Sequence, residues 1–484
     1  IFKVWPTNSD RDVFGNVMRA CGNEKVKSTF SKVEGGLPRM AQAYLFFADS
    51  IAAFVKSEAY IASTEDRFFA LVMALKESLQ LIVIELEEGD DPQIIFETLN
   101  ARGQPLLPSD LIRNYVFMRT ADQESERLYK SYWQHFDTET VAIAMPDGES
   151  RFWHVDERQG RLVRPRIDLF IFHYLTMKTE NDIRIGQLFK EFRDWRDDSG
   201  EDNELFLKDL KSHSAHFQRL IDPKGGTRLE VFARRLRSLD TSTLYPLLLF
   251  LASIEGRPGS SLEVDKCVHD LESFMIRRFM CDLTAKNYNR FFLSVLTQAK
   301  AAFRSGKSVS DAIRLELTRS QLDTNRWPSD DTFKDGWCWK ALYVRSRPDR
   351  AVMILSAIED AMRTSKNEKM SIDDDLTVEH LLPQSGKLAD YPYGNDELDE
   401  DYSREDYRDD MLHTVGNLTL LTGPLNSAIS TGRFPKEVSE ILKESDLWLN
   451  AWSRSDPPKK WSEDDVWLRS VQLFDIAKSI WPAP

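Results

Sequence analysis

The sequence predicts an α+β protein in which helix dominates, and three observations carry that prediction. Residues 167–320 read as a run of amphipathic helices with short connections. Strand-like runs are few and short, at 79–86, 376–378 and 413–421. No fixed-period repeat occurs, which excludes a solenoid, and a chain of 484 residues has room for two to four domains.

The elements follow in order. Residues 1–78 read mainly as helix, with Leu45, Phe46, Ile51, Phe54 and Val55 as an apolar stripe. Residues 79–86 read as a buried strand, stopped by Gly89-Asp90-Asp91-Pro92. Asp91 then serves as N-cap, with Pro92 at the first position of a helix over 93–99. A loop punctuated by Gly103 and Pro105 follows, and a second helix is expected over 110–118, after Ser109. Residues 140–165 look irregular and polar; Arg158, Arg161, Arg164 and Arg166 cluster around them. The longest apolar helical stretches are 244–254 and 262–303. Two more helices fall within 335–365, residues 371–375 form a polar break, and Ser462 caps a final helix through Ile480. Tryptophans 133, 153, 195, 337 and 339 are expected to anchor core and domain packing.

Bulk properties exclude several classes. No run of eighteen or more apolar residues occurs, so the sequence contains no membrane-spanning helix. Cys21, Cys267, Cys281 and Cys338 are scattered, with no C-x-x-C, against both a zinc knuckle and a disulfide framework; a reducing cytoplasm is the expected home. A net charge of −14 argues against a general DNA binder, but the field a ligand meets is local. Much of the acid lies between Asp390 and Asp410, in an insert read as a solvated loop. The chain opens on Ile1 without a signal-like segment and reads as trimmed at its N-terminus.

The chemistry concentrates near the C-terminus. Glu379-His380-x-x-Pro383 comes first, then His413-Thr414-Val415-Gly416-Asn417-Leu418-Thr419-Leu420-Leu421, then Asn426 behind Pro424. A strand at 376–378, a second over 413–421 around a tight turn at Gly416-Asn417, and a helix carrying Asn426 make a ββα unit. That order suits a metal-dependent nuclease. A carboxylate holds a divalent ion, an adjacent imidazole activates water, and downstream asparagines orient the base or complete the metal shell. Each fragment alone is weak: a lone histidine at a strand edge is commonly structural, and a Gly-Asn pair between apolar runs is commonly just a turn.

Together with Phe434-x-Lys436 and a closing Trp481-Pro482, these residues closely resemble the HNH domain of the GmrSD-type, modification-dependent restriction endonucleases. The resemblance implies that His380 is the general base. It implies Mg²⁺ or Mn²⁺ held by Glu379 and the side-chain carbonyl of Asn426, hard oxygen donors for a hard cation. Asn417 is expected to hydrogen-bond near His380 and fix the ring. His413 is read as touching phosphate or capping the strand, and Lys436 as touching DNA. The spacing from His380 to Asn417 is wider than in compact HNH domains, the acidic insert filling the gap.

A second resemblance lies in Phe96-Glu97-Thr98-Leu99-Asn100-Ala101-Arg102-Gly103-Gln104-Pro105-Leu106 through Asp110-Leu111-Ile112-Arg113-Asn114-Tyr115. It is similar to one signature of the ParB/sulfiredoxin-like nucleotidase domain of the same systems. The other signature, Asp-Gly-Gln-Gln-Arg, is absent and expected upstream of Ile1, so the chain is not credited with nucleotide hydrolysis. Asn100 is read as meeting a polar edge, Arg102 a phosphate and Gly103 a close backbone approach, with GTP or ATP as ligand. The competing reading is a helix–loop–helix connection. Residues 271–279 and Tyr288-Asn289-x-x-Phe292 resemble the family's helical connector. Arg277 and Arg278 there are read chiefly as partners of carboxylates, with Arg161, Arg164, Arg166 and the Arg345/Arg347/Arg350 group better placed for phosphate. His213 and His216 are read as a solvated face.

The resemblance implies residues 1–160 as the C-terminal part of a ParB-like α/β domain, 161–350 as a helical connector and 351–484 as the ββα-metal HNH nuclease. It implies a nuclease or nickase acting on phage or modified DNA under nucleotide control. Relatives in the wider family handle glucosylated hydroxymethylcytosine or phosphorothioate linkages. A double-strand break would take two visits or a homodimer. RNA cleavage and a non-catalytic helical scaffold stand as alternatives.

Overall fold

The computed structural model describes residues 10–31, 36–57, 63–80, 107–142, 149–320, 322–363, 376–384, 391–394, 398, 402–429, 434–453 and 458–484. Helix dominates, and the sheet among these residues consists of three separate two-stranded pieces. The α+β, helix-rich class expected from the sequence is the one observed. The chain divides into two compact units, residues 1–96 and 97–484.

The first unit contains α1 (Arg11–Arg19), α2 (Asn23–Thr29), α3 (Arg39–Lys56) and α4 (Thr64–Met73). Ser63 and Asp66 form a reciprocal capping box at the start of α4. Val17, Val26, Phe30, Ala41 and Leu45 make a small core. Of the predicted stripe, Leu45 is buried, whereas Phe46, Ile51 and Phe54 are exposed. Of the strand expected at 79–86 only Leu79 and Gln80 are described, and neither is in a strand; the rest of it, the helix expected at 93–99, and Asn100, Arg102 and Gly103 lie outside the described residues.

The second unit opens with α5 (Pro108–Met118), which starts two residues before its predicted position because Pro108 occupies the first helical turn. α6 (Asp122–Leu128) continues through a π-helical turn at Tyr129–Trp133 into α7 (Gln134–Thr138). The stretch expected to be irregular is instead two hairpins. β1 (Thr140–Ala142) pairs with β2 (Glu149–Arg151), and β3 (Asp156–Gln159) with β4 (Leu162–Pro165), both antiparallel. Polar and arginine-rich strands give no alternation to read, and the turn at Gly160, with φ of 63°, sets the second register.

Then come α8 (Arg166–Thr179), α9 (Leu188–Ser199), α10 (Asn203–Ile221), α11 (Arg228–Leu239), α12 (Tyr245–Glu255), α13 (Ser260–Met280), α14 (Tyr288–Arg304) and α15 (Val309–Thr318). α12 is buried on every side, as its unbroken apolar run demands. The single stretch predicted over 262–303 is two helices. The break carries Asp282 in the left-handed region, and Arg278 ties it down by donating to the carbonyls of Thr284 (2.7 Å) and Arg326 (2.8 Å). Arg277 likewise donates to the carbonyls of Trp481 and Pro328, and pairs with Asp330. Both arginines are fully buried, and backbone carbonyls outnumber carboxylates among their partners. Trp133, Trp153 and Trp337 are core residues as expected; Trp339 is 45 % exposed, set against Tyr407 and Trp467.

α16 (Asp330–Trp339) and α17 (Pro348–Met362) lead into the C-terminal module. It comprises β5 (Leu376–His380), α18 (Arg404–Leu412), β6 (Leu418–Thr422), α19 (Gly423–Ile429), α20 (Phe434–Glu444) and α21 (Glu463–Ile480). The acidic insert is not simply a solvated loop: it contains α18, buries Tyr391 and Tyr407, and ties Arg408 to Glu463 at the start of α21. No described helix is long and apolar enough to cross a membrane.

Candidate active site

β5 and β6 are antiparallel, with His380 opposite Leu418, Glu379 opposite Thr419 and Thr377 opposite Leu421. The strand predicted over 413–421 begins only at Leu418, because Val415–Asn417 forms a 3₁₀ turn. Gly416 is required there by close approach rather than by a hairpin. A Cβ would collide with the Val466 carbonyl and with Ser470 of α21. Buried Arg469 donates to the carbonyls of Gly416 (2.8 Å) and Leu418 (2.7 Å), locking the turn onto α21.

Alternation along β5 sends Glu379 and His380 to opposite faces of the sheet. Leu376 and Val378 share the face of His380 and pack on a core that includes Leu418 and Leu420. His380 is 7 % exposed. Its Nε2 lies 3.1 Å from His413 Nδ1, and its Nδ1 lies 3.4 Å from Gln384 Nε2. The Tyr343 ring meets His380 edge-on at 4.7 Å and stacks on His413 at 5.8 Å. The His413 carbonyl accepts from the amides of Leu342 and Tyr343, which anchors that wall. Burial, reinforced by His413, depresses the His380 pKa to about 4, below the near-neutral value expected of the base.

Asn417 does not take the expected place beside that ring. It is fully buried, accepts from the Leu382 amide (2.6 Å), and donates to the carbonyls of Leu382 (2.9 Å) and Leu412 (2.8 Å). Its role is to pin the backbone just after His380, while His413 and Gln384 hold the ring.

The other face of β5 carries the carboxylate half. Glu379 is half-buried, and burial raises its pKa to about 7 against a hydrogen bond from Asn426. Asn426, on α19, donates through Nδ2 to Thr377 Oγ1 at 2.9 Å. The amide nitrogen, not the predicted carbonyl, therefore faces β5; an amide flip would present the oxygen. α19 packs on β5, β6 and α20, which brings in a residue that sequence reasoning missed. Glu437 on α20 is 5 % exposed, its Oε1 has no hydrogen-bond partner, and burial together with the charge of Glu379 raises its pKa to about 8. The available signal was an acid in the apolar stripe Phe434, Val438, Ile441. Two carboxylates and an amide are oxygen donors whose chemistry suits Mg²⁺ or Mn²⁺, and the Glu437 Oε1 has no protein partner. No group of three His, Cys, Asp or Glu side chains arranged for a metal occurs among the described residues.

The remaining candidates are dispersed. Lys436 is exposed on α20. Arg166 is consumed by Glu157 (3.0 Å) and lies over Phe152. Arg164 is exposed, and Arg161 is exposed beside a cavity of about 680 Å³ between β4, α8, α12 and α14, away from β5. Arg347 pairs with Asp240 and Asp349. His213 is buried against Asp209 rather than solvated.

Two family models match the chain. One, described as GmrSD restriction endonuclease, N-terminal domain, matches residues 1–117. The other, described as GmrSD restriction endonucleases, C-terminal domain, matches residues 327–476 and so spans β5, β6 and α18 to α20. Together they cover more than half of the chain. No curated protein matches it.

Proposed function

The chain belongs to the GmrSD restriction endonucleases, and from that premise we propose that its C-terminal module hydrolyses DNA phosphodiesters by an HNH-type mechanism in defence against phage. The observation that carries the reading is the ββα arrangement: a strand ending in an acid–His pair, a partner strand, and a helix that returns Asn426 to Glu379. Glu379 and Asn426, on the face of β5 opposite His380, would hold Mg²⁺ or Mn²⁺, which would supply charge relief to a phosphate lying across the end of the strand at His380.

His380 acts as the base. With Nε2–H donated to His413, Nδ1 carries the lone pair, and the exposed Gln384 is the group that must yield it to water. A depressed pKa keeps the imidazole unprotonated throughout the physiological range, at a cost in basicity. Water gives its proton to Nδ1, its oxygen bonds to phosphorus, and the P–O3′ bond breaks, the departing 3′-oxygen taking a proton from solvent. Asn417 serves by fixing the backbone behind His380, and Lys436 meets the phosphate backbone from the exposed side of α20. Nucleotide control would belong to the N-terminal domain, for which Asn100, Arg102 and Gly103 are the candidate contacts to GTP or ATP. Because one such site cuts one strand, a double-strand break takes two visits or two protomers.

The test is cleavage of supercoiled plasmid by the wild type and by His380→Ala, each verified as folded, with and without Mn²⁺. Nicking that needs both the metal and His380 supports the reading. Equal cleavage by the variant, or cleavage of RNA in preference to DNA, overturns it.

A further inference from the structure

Glu437 is a buried carboxylate that the HNH-type reading leaves unused. It sits in the first turn of α20, on the stripe that faces the core with Phe434, Val438 and Ile441. One oxygen is hydrogen-bonded to Tyr391; Oε1 has no partner. Leaving such an acceptor unsatisfied in the interior costs about 1–3 kcal/mol, so its placement calls for a cause. The charge that acts on it is that of Glu379, a like charge that makes the arrangement worse. Among the described residues no cation pairs with either carboxylate, although ion pairs are plentiful elsewhere in the chain.

We propose that Glu437 is a second carboxylate ligand of the divalent ion, completing with Glu379 and Asn426 an all-oxygen set drawn from β5, α19 and α20. A cation between the two acids satisfies the orphaned oxygen, removes the repulsion and matches the preference of Mg²⁺ and Mn²⁺ for hard donors. The amide of Asn426, turned over, supplies the third oxygen. This rests on the reading of Glu379 as a metal ligand and adds one residue to it.

The probe is Mn²⁺ alone, titrated calorimetrically into the full chain, with unbound Mn²⁺ followed by electron paramagnetic resonance. Wild type, Glu379→Gln, Glu437→Gln, Glu437→Asp and the exposed control Glu444→Gln are compared, each verified as folded by circular dichroism. The expected result is one Mn²⁺ bound by the wild type and the control. Affinity should fall at least tenfold in both glutamine variants and by an intermediate factor in Glu437→Asp, and the thermal upshift on adding Mn²⁺ should disappear in Glu437→Gln. If Glu379→Gln loses Mn²⁺ while Glu437→Gln and Glu437→Asp bind like the wild type, the proposal fails and the nuclease reading survives. If the wild type binds no Mn²⁺, both fail together. Should Glu437→Gln not fold, Glu437→Asp alone decides: wild-type affinity and upshift overturn the proposal.

Discussion

At the scale of single residues, the C-terminal module separates the group that reacts from the groups that hold it. His380 is held neutral by burial and by His413. A depressed histidine pKa means that the charged form is disfavoured in the fold, so the free base persists as pH falls past the ordinary histidine range. The acid limb of the plasmid-nicking rate is therefore expected to lack a histidine step near 6.5, and a clear step there that vanishes in His380→Ala would contradict this. Removing His413 deletes the Nε2 partner and the neighbour that depresses the pKa. His413→Ala should raise the His380 pKa, measurable by NMR titration, while lowering nicking about 10–100-fold, the usual scale for losing a partner that orients a reactive group. Asn417→Ala is different in kind. It strands the Leu382 amide and two carbonyls in the interior, so it should lower unfolding stability by about 2–4 kcal/mol in urea titration and leave the His380 pKa in place. The sequence marks both positions as important but gives the ring-orienting task to Asn417 and reads His413 as a phosphate contact or a strand cap. An asparagine beside an apolar run looks like a ring-orienting group, and only the packing of the turn reveals that it grips the backbone.

At the scale of elements, the local order of the motif was legible and its three-dimensional sense was not. A strand before Pro383, a second apolar run and a helix after Pro424 could be read from residue type alone, and β5, β6 and α19 follow that order. What could not be read is that α21, fifty residues further on, presses its backbone against Gly416, making the pair Gly416-Asn417 a contact point instead of a hairpin. The same holds for Glu437, whose neighbour Lys436 stood out in the sequence while the acid itself gained meaning only when α19 bridged α20 to β5. The hairpins at 140–165 escaped because strands of three or four residues are too short to carry a period-two signal. Gly416→Ala tests the contact. The new methyl group meets a helix backbone that cannot swing aside, so the variant should lose about 1–3 kcal/mol on urea unfolding, in the range of an overpacked core. Ala substitution at the open Gly423, where no atom lies within reach of a Cβ, should be tolerated.

At the scale of the whole molecule, a net charge of −14 argues against a general DNA binder, yet the acids that matter most are two that the fold keeps from ionising freely. Glu379 and Glu437 have folded pKa values of about 7 and about 8, above the ordinary 4.5. A carboxyl whose pKa is raised on folding binds its proton more tightly in the native state, so its contribution to stability is complete below about 4.5 and is lost as pH rises through 7 and 8. Without metal, this pair should make the thermal midpoint of the chain fall between pH 5 and pH 8. A divalent ion competes with those protons, so its stabilisation must run the other way, small at pH 5 and large at pH 8. Differential scanning fluorimetry with and without Mn²⁺ at the two pH values measures the crossing. The metal-induced rise should grow with pH in the wild type and flatten in Glu379→Gln, where the group that binds the proton and the metal has been neutralised. A rise that is equal at both pH values would mean that the ion binds elsewhere, and the two buried acids would then be a proton-sharing pair whose only work is structural.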